Sequence, residues 1–124
     1  MGFKYRIIDK KPYFLMEIEP NEKIDGFIHH ISGWLSGDVT STGWRDLKKV
    51  KEFLKNPNER EIILGSNSYT VFVRKNTTTI SYDYEYCNPE MVPCTLPTEM
   101  LCEILEIWIQ AEKEHREKTK KTEE

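Results

Sequence analysis

Asp83 and Glu85 carry the clearest capacity for chemistry in this chain, two carboxylates spaced two apart in ISYDYEY. On a strand that spacing puts both on one face, as in the acid/base pair of a hydrolase. Such a pair needs a cleft that sets its two pKa values apart and admits substrate. No glycine-rich phosphate loop, HExxH helix or EF-hand loop accompanies it, so the pair fits a solvated strand face. His29 and His30 suggest a metal site, but neighbours on a helix diverge by about 100°. No Cys, Asp or Glu supplies a third ligand at matching spacing. Cys87, Cys94 and Cys102 are odd in number and spaced seven and eight apart, unlike a zinc ribbon or a redox CxxC pair, and are expected to be reduced structural thiols. His115 lies in a polar terminal run, leaving no Ser-His-Asp or Cys-His set. The expectation is a protein without catalytic residues, metal or cofactor, and not an enzyme.

Binding is then the expected activity. Ser81, Asp83 and Glu85, with Glu90 just beyond, form an acidic strip on or beside an edge-like strand. Tyr82, Tyr84 and Tyr86 alternate with them, and tyrosine is enriched at binding hot spots. Ser81, Asp83, Glu85, Tyr86 and Glu90 are the candidate partner-contacting residues. In the alternative arrangement the tyrosines, Tyr82 and Tyr84 above all, pack beneath helices.

The elements that must position this strip follow from periodicity. Ile62 to Leu64, Tyr69 to Arg74 and Ile80 to Tyr86 alternate as strands of a β-meander. Its turns fall at Gly65–Ser68 and Lys75–Thr78, where Gly and Asn suit a positive φ. Upstream, Phe3–Ile8 and Tyr13–Ile18 flank the turn signal Asp9-Lys10-Lys11-Pro12 and predict a hairpin. Ile24, Phe27, Ile28, Ile31, Trp34 and Leu35 predict a helix over 21–35. A turn-rich loop, SGDVTSTG, follows, with Ser41 or Thr42 as N-cap of a second helix over Trp44–Lys55 that buries Leu47, Val50, Phe53 and Leu54. Its four lysines are a solvated face, and Asn56-Pro57 stops it. The segment CNPEMVPC is expected to be extended and unladdered because of its prolines. Thr95-Leu96-Pro97-Thr98 opens a last helix with a stripe of Leu101, Ile104, Leu105, Trp108 and Ala111. Met100, Ile107 and Ile109 widen that stripe, which fits a helix packed on two sides or an apolar flank open to a partner.

The 124 residues suit one core, and five Phe, six Tyr and three Trp are too many aromatics for a disordered chain. The expected fold is a single α+β domain over 1–114, an antiparallel sheet of the N-terminal hairpin plus the three-strand meander against two to three helices. Residues 115–124 are expected to be a frayed polar tail. A formal charge of −3 offers no attractive field for phosphates, so nucleic acid is not an expected direct ligand, whereas a basic protein partner is. No signal-peptide pattern or membrane span is present, and a cytoplasmic location is expected.

The N-terminal hairpin, the helix, the Tyr-rich meander SYTVFVRKNTTTISYDYEY and the closing helix PTEMLCEILEIWIQAEKEH together resemble the immunity proteins of bacterial contact-dependent growth inhibition and related polymorphic-toxin systems. These families share no short invariant motif, so the resemblance assigns no site residues. It implies a cytosolic inhibitor that binds its cognate toxin's C-terminal nuclease domain, an RNase, in a 1:1 complex and covers its active or substrate-binding site. Acidic side chains would stand in for nucleic-acid phosphates. The alternative is a small non-catalytic regulatory or structural subunit.

Overall fold

Alternation along Tyr69–Arg74 fixes the main sheet: Tyr69, Val71 and Val73 are buried, while Thr70, Phe72 and Arg74 face the other way. The computed structural model describes residues 2–10, 13–65, 67–84 and 92–123, the last three by backbone only. Its elements are β1 (Phe3–Lys10), β2 (Tyr13–Pro20), α1 (Phe27–Gly33), α2 (Gly43–Lys55), β3 (Glu61–Gly65), β4 (Tyr69–Arg74), β5 (Thr77–Tyr82), β6 (Cys94–Pro97) and α3 (Thr98–Glu123). The α+β class matches the expectation. The strands divide into two antiparallel sheets, β1-β2 alone and β3-β4-β5-β6. Between and beneath them Trp34, Phe27, Ile31, Ile80, Leu105 and Trp108 form the core.

The segment around Cys94 departs from the expected unladdered connector. Cys94–Pro97 pairs with Thr77–Ile80 as a fourth strand. Pro97 is tolerated because it ends a strand at the edge of the sheet, where its missing N–H costs no ladder bond. The third meander strand is displaced as well, from the expected Ile80–Tyr86 to Thr77–Tyr82. Its partner β4 begins at Tyr69, which faces Tyr82, so the ladder runs out there. The turn before it is two residues, Lys75 and Asn76. Neither Asn76 nor Gly65 takes the expected positive φ, which among the described residues occurs only at Gly26 and Thr40.

Residues 21–42 also differ. The first helix starts at Phe27 rather than Asn21 because Gly26 turns left-handed at φ 73°. The expected turn-rich loop is helical, a π-helical stretch over Trp34–Val39 followed by a 3-10 turn over Thr40–Thr42. Tertiary contacts hold it. Val39 is buried, the Asp38 carboxylate accepts the backbone N–H groups of Ser68 and Tyr69 (3.2 and 2.9 Å to Oδ2), and Trp108 Nε1 donates to the Thr40 carbonyl at 2.7 Å. Thr42 makes no N-cap bond and its hydroxyl donates back to Val39 O instead. Gly33 permits α1 to approach the sheet, since a Cβ there would lie 2.2 Å from the Tyr69 hydroxyl.

Lys75 in the β4–β5 turn reaches across to the end of α2, donating from Nζ to the carbonyls of Phe53 and Asn56. The Thr98 hydroxyl donates to Arg74 O at 2.7 Å and lies 2.8 Å from the Thr78 hydroxyl, joining the start of α3 to the same turn. From there α3 runs on through the segment expected to fray from residue 115. Its polar turns are good helix formers, carry Glu112–Arg116 and Gln110–Glu114 contacts at i, i+4, and dock on the hairpin. His115 stacks on Phe14 (ring centroids 4.4 Å) and its Nδ1 donates to Asp9 at 2.8 Å. The wide apolar stripe is packed on two sides. Trp108 meets Phe14 of β2, and Ile109 meets Gly43 of α2.

Candidate protein-binding face

The helices cover one side of the four-stranded sheet and leave the other bare. Strand register arranges the bare side into rows: Ile63, Phe72, Thr79 and Thr95 across all four strands, with Gly65, Thr70 and Ser81 in the next. Ile63 is 58% exposed, a large apolar side chain at the outermost strand. Arg74 pairs with Glu61 at 3.1 Å and donates to the Thr79 hydroxyl at 2.6 Å, and Thr79 lies 3.1 Å from the Thr95 hydroxyl. The face is therefore a hydroxyl-rich plane with two apolar side chains along one row.

Of the residues singled out from sequence, Ser81 and Asp83 lie on this face, beside Thr70. Ser81 is the register partner of Thr70, whose hydroxyl donates to Asp83 Oδ1 at 2.7 Å. Asp83 is further pinned by its backbone N–H, which donates to Ser68 O at 2.8 Å. Unlike Glu61, Asp83 faces no cation within ion-pair distance among the described residues, so its charge is available to an incoming group. The strand that carries Ser81 is interior to the sheet along Thr77–Ile80, where β6 pairs with it, but Ser81 lies just past the last β6 pair, Ile80 with Cys94. Glu85, Tyr86 and Glu90 lie outside the described residues. Thr70, Thr79 and Thr95 were not among the expected contacts. Alternation in β4 hints at Thr70, but only the unforeseen pairing of β6 brings Thr95 alongside.

The tyrosines split between the two arrangements weighed from sequence. Tyr69 and Tyr82 lie on the core side with ring centroids 5.2 Å apart, and Tyr84 packs edge-on against Tyr82 at 5.7 Å while remaining 46% exposed. Burial raises the Tyr69 phenol above its ordinary pKa, assisted by the neighbouring Tyr82 and Asp38, so it stays neutral through the physiological range.

The histidines sit apart in role. His29 is exposed, whereas His30 is buried with Nδ1 donating to Gly26 O at 2.8 Å, and edge-on to Tyr69. Among the described residues no three His, Cys, Asp or Glu side chains cluster to hold a metal ion, and no helix is long and apolar enough to cross a membrane. Cys94 and Cys102 are free thiols. Burial pushes the Cys94 thiol up to about 12 and raises Cys102 as well, with Glu106 adding to the effect. Neither is a thiolate at neutral pH, which makes both poor nucleophiles. The site offers hydrogen-bonding hydroxyls, one uncompensated carboxylate and an apolar row, a chemistry of recognition. No protein-family model matches the chain, and no curated protein or solved structure is detectably similar to it.

Proposed function

We propose that this chain is an inhibitory binding protein of the bacterial immunity type, which neutralises a cognate toxin domain in the cytosol by laying its bare sheet face over the toxin's basic, substrate-binding surface. The observation that carries this reading is the Thr70–Asp83 hydrogen bond, with Ser81 as the register partner of Thr70, on a face whose reverse side is committed to the core. The sheet fixes Thr70 and Ser81, and Asp83, in the turn just beyond β5, is held by its bonds to Thr70 and Ser68, which lowers the ordering cost of presenting these groups. Asp83 then meets a lysine or arginine of the toxin that otherwise holds a nucleic-acid phosphate, while Thr70, Ser81 and Thr79 supply hydrogen bonds at the rim.

The test is titration calorimetry against the toxin fragment encoded in the adjacent reading frame. A 1:1 complex is expected. Asp83→Lys is expected to weaken it about tenfold or more, with the gap to the parent narrowing as salt rises, because the contact is electrostatic and screened. Binding unchanged by Asp83→Lys removes this face from the interface. No binding to that fragment at all refutes the immunity assignment.

A further inference from the structure

The strand edges of this protein are guarded unequally. A sheet edge exposes unpaired N–H and C=O groups, and proteins commonly protect it with charges or prolines. The β1 edge carries Lys4, Arg6 and Lys10. The β6 edge is bracketed by Pro93 and Pro97. The β3 edge, EIILG, has neither lysine nor proline, and no described residue beyond β4 hydrogen-bonds to its backbone. A cleft of about 440 Å³ runs along it beneath α2, walled by Phe53, Ile62 and Leu64 and rimmed by Lys49, Glu52 and Glu59.

We propose that β3 pairs with β3 of a second copy, antiparallel and centred on Ile63, joining two four-stranded sheets into one of eight strands. The sequence is self-complementary in that register. On the bare face Ile63 meets its own copy, which extends the Phe72–Ile63 row into a continuous apolar stripe of four side chains across the two-fold axis. Glu61, already paired with Arg74, falls opposite Gly65, where there is open space around the missing Cβ. On the core face Ile62 falls opposite Leu64 of the other copy; Leu64 stays in its own core, and the half-buried Ile62 is the side chain that covers the cleft beside Phe53. The cleft rim bears both signs of charge, so the two-fold can bring Lys49 of one copy toward Glu52 or Glu59 of the other. No like charges within β3 oppose one another, the condition an isologous interface must meet. Only β4 lies between the strands of Ile63 and Ser81, but edge-to-edge pairing of β3 covers no part of the bare face, so the toxin-binding face proposed above stays open and self-association is measured without any toxin.

Five strand positions make a small interface, so the dimer is concentration-dependent, and sedimentation from about 5 to about 200 µM should show a rise in mass from monomer to dimer. Ile63→Lys sets two introduced lysines against each other at an exposed site. It should abolish the rise over that range while leaving the circular dichroism spectrum and melting temperature near those of the parent. Ile63→Cys places thiols across the two-fold within disulfide reach and should give a covalent dimer on mild oxidation, whereas Thr95→Cys, on the same face at the opposite edge, should not. A parent chain monomeric throughout, a dimer that survives Ile63→Lys, or equal cross-linking by the two cysteine variants overturns the proposal. In the first case the β3 edge is free for a strand of another protein.

Discussion

Replacing Lys75 by methionine tests whether one side chain of the β4–β5 turn holds α2 to the sheet. The ammonium donates to two carbonyls at the end of α2, Phe53 O and Asn56 O, and sits 3.8 Å over the Phe53 ring. Methionine keeps the aliphatic stem and removes only the charge. A hydrogen bond from a charged group contributes about 1.5 kcal/mol at the low end appropriate to a half-buried site, and the ring contact adds about 0.5 kcal/mol. Against this, immobilising a lysine costs up to about 2 kcal/mol of rotamer freedom, which methionine recovers only in part. The net expectation for Lys75→Met is a loss of about 2 kcal/mol. With an unfolding entropy of about 2.1 cal/mol/K per residue, that lowers Tm by about 8 °C for a chain of this size. Thermal unfolding by circular dichroism reads it directly. Arg6→Met is the control, since the Arg6–Glu17 pair at 2.6 Å is solvent-exposed on both sides and should change Tm by no more than about 2 °C. Equal small shifts for both variants would refute the idea that Lys75 closes the end of the helix.

Three further outcomes follow from single residues. Thr40 holds a β-branched side chain at φ 45° and ψ −119°, a region suited to glycine, so Thr40→Gly should raise stability in denaturant by about 1 kcal/mol despite the added freedom of the unfolded chain. Cys94 keeps its proton in the folded state up to about 12, whereas the unfolded chain releases it near the ordinary thiol value. Its contribution to stability is therefore complete below that value and is lost as pH rises toward 12; Cys94→Val should flatten the fall in unfolding free energy between about pH 9 and about pH 11, and native Cys94 should resist thiol reagents. His115→Ala removes the contacts to Phe14 and Asp9, and hydrogen exchange should accelerate in α3 beyond residue 114 with little change in global Tm.

The sequence alone determined the local elements whose hydrophobic period is strong. The hairpin, α2, β4 and the stripe of α3 are legible because their apolar residues recur at 2.0 or 3.6, and a side chain's period needs no knowledge of its partner. It also put Ser81 and Asp83 on one face, although the strand ends at Tyr82 and Asp83 lies in the turn beyond it, held beside Thr70 by hydrogen bonds. Tertiary structure decided the rest. Residues 34–42 are helical because Asp38, Val39 and Trp108 make contacts about 30 and 70 positions away in sequence, which outweigh the turn preference of Ser, Gly and Thr. Cys94–Pro97 is a strand because β5 offers it an unpaired edge, and the polar end of α3 is ordered because Phe14 and Asp9 receive His115. Which face of the sheet stays bare likewise depends on where three helices dock. Periodicity marks the two sides of a strand, but only packing says which side the solvent, and hence a partner, will meet.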